Sequence, residues 1–450
     1  MVDTHDSIPT RKSELPEFDI PGSFATSAEY LHHLVMQGLE KQYPNNTNTA
    51  IMQAEHELEI INRLGFTDYF LIVADAVNWA REHDIPVGPG RGTAPASLAV
   101  YALGITGIDP LKYGLIFERF ANLEHPAIPD IDVDFSADGR ERVINYLIEK
   151  YGKSRVGLIA LYSKYRYSYH SAGVVISKKN LDEYGPVYYD PETGMPVTQH
   201  DLDNFTDYYD PETGKHLRIH CTFNLEKHGL TRFDFLGLKT LDTIKQKEIE
   251  IRKQGTQFAS FSIKDVPLND KATFRLFSEG NTDGVFQFES EGMQDILQKI
   301  KPDCFEHLIA IRALYRPGFM EYIPEYIERR HGHKPIEYLL PCLEDILKET
   351  YGIIIYQEQF MQIVQRIAGY TPGQADILRR HLFKASETSK NADDEKKRFI
   401  TSATTNGFNE KEADILASFF ARYIFQKSHA AAWSLLAYQT AYLKANFGNT

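Results

Sequence analysis

Three aspartates alternate with apolar residues along Asp130-Ile131-Asp132-Val133-Asp134-Phe135. On an extended strand, residues i and i+2 share a face with Cα atoms about 6.5 to 7 Å apart. The pattern therefore buries Ile131, Val133 and Phe135 and lines up carboxylates on the opposite side. Like charges so placed repel, and a cation relieves the repulsion. Oxygen-only ligands favour hard ions such as magnesium or manganese. Two such ions about 3.5 to 4 Å apart can clamp the attacking and leaving oxygens of a phosphoryl transfer. Far downstream, Arg232-Phe233-Asp234-Phe235-Leu236-Gly237-Leu238 sets another carboxylate in an apolar stretch. A buried, unpaired Asp is costly, so Asp234 requires a partner, either a cation or Arg232. Taken singly, each segment also reads as an edge strand or turn with a solvated carboxylate; together they favour a metal site.

A glycine-rich turn, Gly88-Pro89-Gly90-Arg91-Gly92-Thr93, opens into the apolar run Ala96 to Leu103. A loop leading into a helix offers backbone N–H groups and a hydroxyl to a phosphate, and Arg91 adds charge. The spacing matches neither the Walker pattern nor the dinucleotide fingerprint, and a plain structural turn is an equal reading.

The elements that must position these groups follow from periodicity. Helices are expected over Ser27 to Lys41, Ala54 to Leu64, from after Asp68 to about His83, and Arg140 to Tyr151. Strands are expected over 128 to 135, 155 to 161, 172 to 177 and 232 to 238. The chain is mostly helical from Thr240, including a helix begun by Asn409 and Glu412 in capping-box spacing and ending near Ala421. Tyr-Tyr-Asp-Pro-Glu-Thr-Gly occurs at 188–194 and again at 208–214, which reads as a duplicated hairpin tip. The 450 residues suggest two to four domains. A net charge of -13 argues against a protein that coats nucleic acid non-specifically, yet leaves room for a local basic groove. Cys221, Cys304 and Cys342 are widely spaced, which fits a reducing cytoplasm and no disulfide framework. No apolar run reads as a signal peptide or a membrane span, so a soluble cytoplasmic protein is expected. His216, His220 and Cys221 lack a Cys-x-x-Cys partner, which disfavours zinc.

Several segments in order resemble the C-family polymerases, the alpha subunits of bacterial DNA polymerase III. They are Gly88-Pro89-Gly90-Arg91-Gly92, Phe117-Glu118-Arg119-Phe120, Pro129 to Phe135, His170 to Ile176 and Phe233 to Leu238. Val285 to Ser290, Tyr315-Arg316-Pro317-Gly318, Tyr351-Gly352-Ile353, Tyr356 to Gln359 and Lys427-Ser428-His429-Ala430-Ala431 continue the likeness. The resemblance implies an α/β (α+β) palm of the polymerase-beta-like nucleotidyltransferase type followed by a mostly helical fingers domain. Residues 1–25 would be a linker or domain-boundary remnant, 26–240 the palm and 241–450 the fingers. It makes Asp130, Asp132 and Asp234 the catalytic, metal-binding triad, with Asp134 in a lesser role. It turns Gly92, Thr93, Ser97, Arg232, Arg379, Arg380, Lys427 and His429 towards the nucleotide. A solvated helix face remains open for the paired arginines, a structural histidine for His429, and a core role for Tyr356 in place of nucleotide contact. The implied reaction adds deoxynucleotides to a primer 3′-hydroxyl by two-metal phosphoryl transfer with Mg2+, or Mn2+ in its place. Primer-template DNA, deoxynucleoside triphosphates and other replication subunits are the implied partners, with no membrane.

Departures from the family pattern shape the expectations. The N-terminal phosphoesterase-like domain and the C-terminal clamp-binding and oligonucleotide-binding regions are not recognisable. The family's thumb lies between two palm strands that only Leu161 to Ser171 separate here, leaving a residual thumb segment at 161–171 and the duplicated hairpin near 185–215. Arg232 stands where the family carries lysine, and Pro95 removes an N–H from the phosphate loop. Fewer backbone cations imply weakly processive, salt-sensitive synthesis. A template-independent or short-patch nucleotidyltransferase and a non-catalytic nucleotide- or DNA-binding scaffold are the alternative readings.

Overall fold

The computed structural model describes residues 14–44, 47–163, 166–184, 188–189, 196–199, 206–210, 215–219, 229–384, 389–419 and 424–448. The chain is mixed α/β, with a small sheet embedded in helices. Eight strands are present among these residues: β1 (Asp132–Ser136), β2 (Val156–Ser163), β3 (Arg166–Ile176), β4 (Tyr188–Tyr189), β5 (Pro196–Gln199), β6 (Thr206–Asp210), β7 (Lys215–Ile219) and β8 (Arg232–Leu238). Six form one sheet in the order β1-β8-β3-β2-β5-β4, and β6 and β7 pair separately. β1 runs parallel to β8, which brings Asp132 level with Asp234. β3 runs antiparallel on the other side of β8, with Gly173 opposite Asp234. Period-two alternation explains the faces, since Val133, Phe135, Phe233 and Phe235 are buried in one apolar core.

The first strand is shorter than its alternating sequence suggests. It begins at Asp132, so Asp130 precedes the ladder rather than joining it. Pro129 has no N–H to contribute, and the Ile131 N–H donates to the Tyr69 hydroxyl at 3.3 Å instead of to a strand. The helices Ser27–Gln42 and Thr67–Glu82 fall where periodicity places them. Helix Thr47–Leu64 starts seven residues before Ala54, and Ala137–Tyr151 starts three before Arg140. The Asp242 carboxylate accepts the Ala137 N–H at 2.8 Å, a cap from another helix that local sequence cannot reveal. Of the residual thumb segment, residues 161–163 and 166–171 belong to β2 and β3, which pair as far as Ser163 opposite Arg166; the two residues between them lie outside the described residues. Each copy of the repeated heptapeptide contributes the end of a strand, β4 or β6, to an antiparallel pair, and its tip lies outside the described residues. Residues 1–13, His220 and Cys221 also lie outside them, as does the side chain of His216.

Two apolar cores carry the molecule. One joins helices Ser27–Gln42, Thr47–Leu64 and Thr67–Glu82 to the sheet through Val35, Phe70, Phe135 and Leu147. The other gathers helices from Lys271 onward around Phe277, Leu308, Ile363 and Tyr438, and also takes in Ile108 and Tyr113. The seam is a small cluster of Leu241, Ile244, Ile263, Leu436 and Leu443, where helix Lys239–Arg252 meets helix Lys427–Phe447.

Behind the glycine-rich loop, the apolar run Ala96 to Leu103 is helical over Leu98–Ala102, after a break from the preceding turn at Ala94–Ala96. Glu57, almost fully buried, holds that break together. Its carboxylate accepts the Ser97 hydroxyl at 2.7 Å and the Leu98 and Ala99 N–H groups at 3.0 and 2.9 Å. Burial pushes the Glu57 carboxyl up to about 7, against the lowering effect of those hydrogen bonds. The folded state therefore holds the Glu57 proton more tightly than the unfolded chain, and stability from this group falls as pH rises from about 4.5 to about 7. Glu57→Gln should flatten that decline in urea-unfolding midpoints. Glu57→Ala should cost about 3 kcal/mol at all pH values, because it strips buried donors of their acceptor.

Candidate metal centre and phosphate loop

The β1–β8 register and the turn before β1 bring one oxygen each from Asp130, Asp132 and Asp234 within 4.8 Å of one another. Around a six-coordinate ion with bonds of about 2.1 Å, oxygens lie about 3 to 4.2 Å apart, so the three carboxylates are near the separation that a shared cation requires. Burial, with Asp130 and Asp234 adding repulsion, pushes the Asp132 carboxyl up to about 7. Burial and Asp234 raise Asp130 as well, and Arg232 opposes this. Arg232 pairs with Asp234 Oδ2 at 2.6 Å, while Asp234 Oδ1 is buried with no hydrogen-bond donor. An all-oxygen set with an orphaned carboxylate oxygen fits a hard divalent ion.

Asp134 is set apart from this group. Its side chain is 1 % exposed and receives the Arg91 guanidinium, with Nε 3.1 Å from Oδ2 and Nη2 on Oδ1. The pair forms because Ile85–Gly88 runs beside β1, with the Gly88 N–H donating to Asp134 O at 2.8 Å. A Cβ on Gly88 would stand 3.0 Å from Asp134 Cβ, so glycine permits this approach. Gly92, at φ +61°, lies next to the carboxylates: a Cβ there would be 3.7 Å from Asp132 Oδ2.

Helix Lys427–Phe447 closes the other side of the loop. The Gly92 N–H donates to His429 Nδ1 at 3.0 Å, and the Ser428 hydroxyl donates to Gly92 O at 2.8 Å. Burial, then Arg312, Arg316 and Arg91, push the His429 imidazole down to about 3, so it is neutral with Nδ1 as acceptor. Buried Glu358 caps this helix from outside, accepting the Lys427 and Ser428 N–H groups at 2.9 and 3.2 Å.

The structure thus brings Asp130, Asp132, Asp234, Arg232, Gly92 and His429 together, with part-exposed Thr93 in the same loop. It does not bring Ser97 to them; that hydroxyl is turned inward onto Glu57. Lys427 is 7 % exposed, with Nζ bound to both Glu349 oxygens at 2.7 and 2.8 Å. Tyr356 is a core residue lying under the Lys427 ammonium. Arg379 and Arg380 both hold buried Asp376, at 2.8 to 2.9 Å and 2.6 Å, and Arg119 stands 3.9 Å from the same carboxylate. The Asp376 pairing was readable, since it stands three and four residues before the two arginines on one helix. Glu349 and Glu358 have no such local signal, because their partners lie 69 to 78 residues away, and the hold of Glu57 on Ser97 spans 40 residues.

A second group, Asp303, Cys304 and His307, also has ligand-type atoms within 4.8 Å of one another. Arg330 stands 2.8 Å from His307 Nε2, burial brings His307 down to about 4, and burial raises the Cys304 thiol to about 11. A guanidinium so close to the ligand imidazole disfavours a cation there, and the group serves as a polar tie between helices.

The fold and the carboxylate cluster define a candidate metal-ion centre on a mixed sheet, flanked by a glycine loop and a large helical body. Residues 29–168 match the bacterial DNA polymerase III alpha NTPase domain, and residues 240–407 match the bacterial DNA polymerase III alpha subunit finger domain. Among similar proteins, the DNA polymerase III subunit alpha of Treponema pallidum is 40% identical over 98% of this chain and 42% of its own length. That of Borreliella burgdorferi is 40% identical over 96% and 42%, and that of Aquifex aeolicus 37% identical over 96% and 44%. The chain belongs to the bacterial DNA polymerase III alpha-subunit family. It spans less than half the length of these relatives.

The geometry separates two neighbouring aspartates by role. Asp132→Asn should weaken Mn2+ binding, followed by electron paramagnetic resonance, by at least about tenfold. Asp134→Asn should leave Mn2+ affinity unchanged and lower stability by about 2 kcal/mol, because Arg91 loses its buried ionic partner. Equal loss of Mn2+ binding in both variants would make Asp134 a ligand.

Proposed function

We propose that this chain is a DNA-directed DNA polymerase core that adds deoxynucleotides to a primer 3′-hydroxyl. The observation that carries this reading is the convergence of Asp130, Asp132 and Asp234 beside Gly92 in a chain of this family. The sheet acts as a palm of the polymerase-beta-like nucleotidyltransferase type within residues 26–240, and residues 241–450 act as fingers. The two separate apolar cores support that division.

The three aspartates are the residues that would hold Mg2+, as two ions, with Mn2+ able to replace it. When bound, the ions supply a more acidic primer hydroxyl and neutralise charge building on the transferred phosphoryl group. Asp130, Asp132 and Asp234 orient the reacting oxygens, and Arg232 keeps one Asp234 oxygen fixed while the buried Oδ1, which accepts no hydrogen bond, is left for a cation. Gly92 and Thr93 present the loop to the triphosphate, and neutral His429 fixes the loop by accepting from Gly92. Arg379 and Arg380, with Arg119, place three guanidiniums around the Asp376 carboxylate, a surplus of positive charge suited to phosphate. This group reaches the site through Gln357, which accepts from Arg119 and bonds the backbone of Ile424 and Phe425 next to Lys427.

Primer-template DNA and deoxynucleoside triphosphates are the substrates in this reading, and cytoplasm is the compartment. No helix among the described residues is long and apolar enough to cross a membrane. The two-residue β2–β3 connection and the net charge of -13 favour weakly processive synthesis. Primer extension with Mg2+ at low salt tests the reading. Template-directed addition should fall by at least about 1000-fold in an Asp130→Asn/Asp132→Asn variant and should weaken steeply with added salt. Extension that ignores the template base would favour a template-independent nucleotidyltransferase. No extension by a folded chain that binds primer-template would favour a binding scaffold.

A further inference from the structure

Helix Lys427–Phe447 carries Trp433 one turn beyond His429, and the two rings lie 4.6 Å apart. Three guanidiniums surround this pair. Arg91 Cζ is 5.1 Å from the Trp433 ring centroid and Arg312 Cζ is 5.3 Å from it. Arg316 Cζ is 3.7 Å from the centroid of Phe425, whose ring meets His429 edge-on at 5.6 Å. Aromatic faces steady such cations but do not cancel their charge.

Their compensation is unequal. Arg91 has the Asp134 carboxylate. Among the described residues, the hydrogen bond of Arg312 goes from Nη2 to the neutral Gln287 side chain, and its buried Nε has no acceptor. Burial and the neighbouring Arg316 bring the Arg312 guanidinium down to about 10, a sign of like-charge crowding. Gln287 holds its acceptor there from a left-handed backbone, φ +59°, a conformation that is strained for a non-glycine residue. A strained residue aiming a neutral acceptor at a partly buried guanidinium aligns that guanidinium without neutralising it.

A cluster of this kind suits a compact polyanion, because planar guanidiniums bind phosphate oxygens two at a time. It also adjoins the candidate metal centre: the Trp433 ring lies beside His429, His429 accepts from Gly92, and a Cβ on Gly92 would stand 3.7 Å from Asp132 Oδ2. We propose that Arg312 and Arg316, with Arg91, grip the terminal phosphates of the nucleoside triphosphate and the pyrophosphate that leaves. This assignment rests on the polymerase reading for its substrate, but the anion site stands on its own contacts. It is a separate group from Arg379 and Arg380, which share Asp376 on another helix.

Inorganic tripolyphosphate, titrated calorimetrically without divalent metal, is the direct probe. Arg312→Gln and Arg316→Gln should each weaken its binding by about 10- to 100-fold, the loss expected for a charge-assisted contact. Arg312→Lys should restore part of it. Parent-like affinity in Arg312→Gln would overturn the proposal. Should that variant fold poorly, a Trp79→Phe chain leaves Trp433 as the sole tryptophan. Its emission should shift on tripolyphosphate addition, and an unchanged emission would equally overturn the site. Tripolyphosphate binding that depends on Arg312, in a chain that extends no primer, would keep the anion site and remove the polymerase reading. Primer extension with unaltered KM for nucleotide and unaltered tripolyphosphate affinity in Arg312→Gln would do the reverse.

Discussion

Repulsion among carboxylates confined to a small, half-buried volume sets the terms for the rest of the molecule. Asp130, Asp132 and Asp234 converge where β1 lies parallel to β8, and burial raises the cost of their charge. The surroundings answer that cost in separate ways. Arg232 neutralises one oxygen of Asp234, and Arg91 takes Asp134 out of the group. What remains is an all-oxygen set short of positive charge, a condition that a hard cation meets and hydrogen bonding does not. The parallel register makes the crowding unavoidable: Asp132 and Asp234 are direct neighbours across the ladder, and neither can leave without unpairing a central strand.

Positive charge is distributed around this acidic point in two groups with different degrees of internal compensation. Arg119, Arg379 and Arg380 share Asp376, while Arg91, Arg312 and Arg316 gather around His429 and Trp433. Gln357 links the segment just before helix Lys427–Phe447 to Arg119 of the first group, and that helix carries the His429–Trp433 pair of the second. Its first turn is fixed by Glu358 on one side and Gly92 on the other, and its later turns join the seam at Leu436 and Leu443. Residues up to 240 contribute the loop, the carboxylates, Arg91 and Arg119; those beyond contribute Arg312, Arg316, Arg379, Arg380 and the helix.

Much of this arrangement was legible in the sequence wherever the determining pattern is local. Alternation in Asp132 to Phe135 and Arg232 to Leu238 located both strands, and the apolar periodicity of Ser27 to Lys41 located a helix. Residue type and setting single out four aspartates, and the family resemblance separates Asp134 from the three that meet; the place of Asp130 ahead of the ladder is not visible in the alternation, which runs on to it from Asp132. Contacts between distant segments were illegible. The resemblance turns Ser97 and Lys427 towards the nucleotide, and nothing near either in the chain announces the partners they have, Glu57 at 40 residues and Glu349 at 78. Arg312 drew no attention within the apolar helix Phe305–Leu314, and its significance comes from Trp433 on another element.

The two hydrogen bonds between Gly92 and the Ser428–His429 turn have a mechanical consequence. They join the loop beside the carboxylates to a helix rooted in the opposite core, so loop position and helix orientation share one degree of freedom. Any ligand that prefers one orientation of the helix must also prefer one setting of the loop, and by linkage the free energy of that preference is felt equally from either end. The centre is therefore built as a lever with its fulcrum at a single glycine.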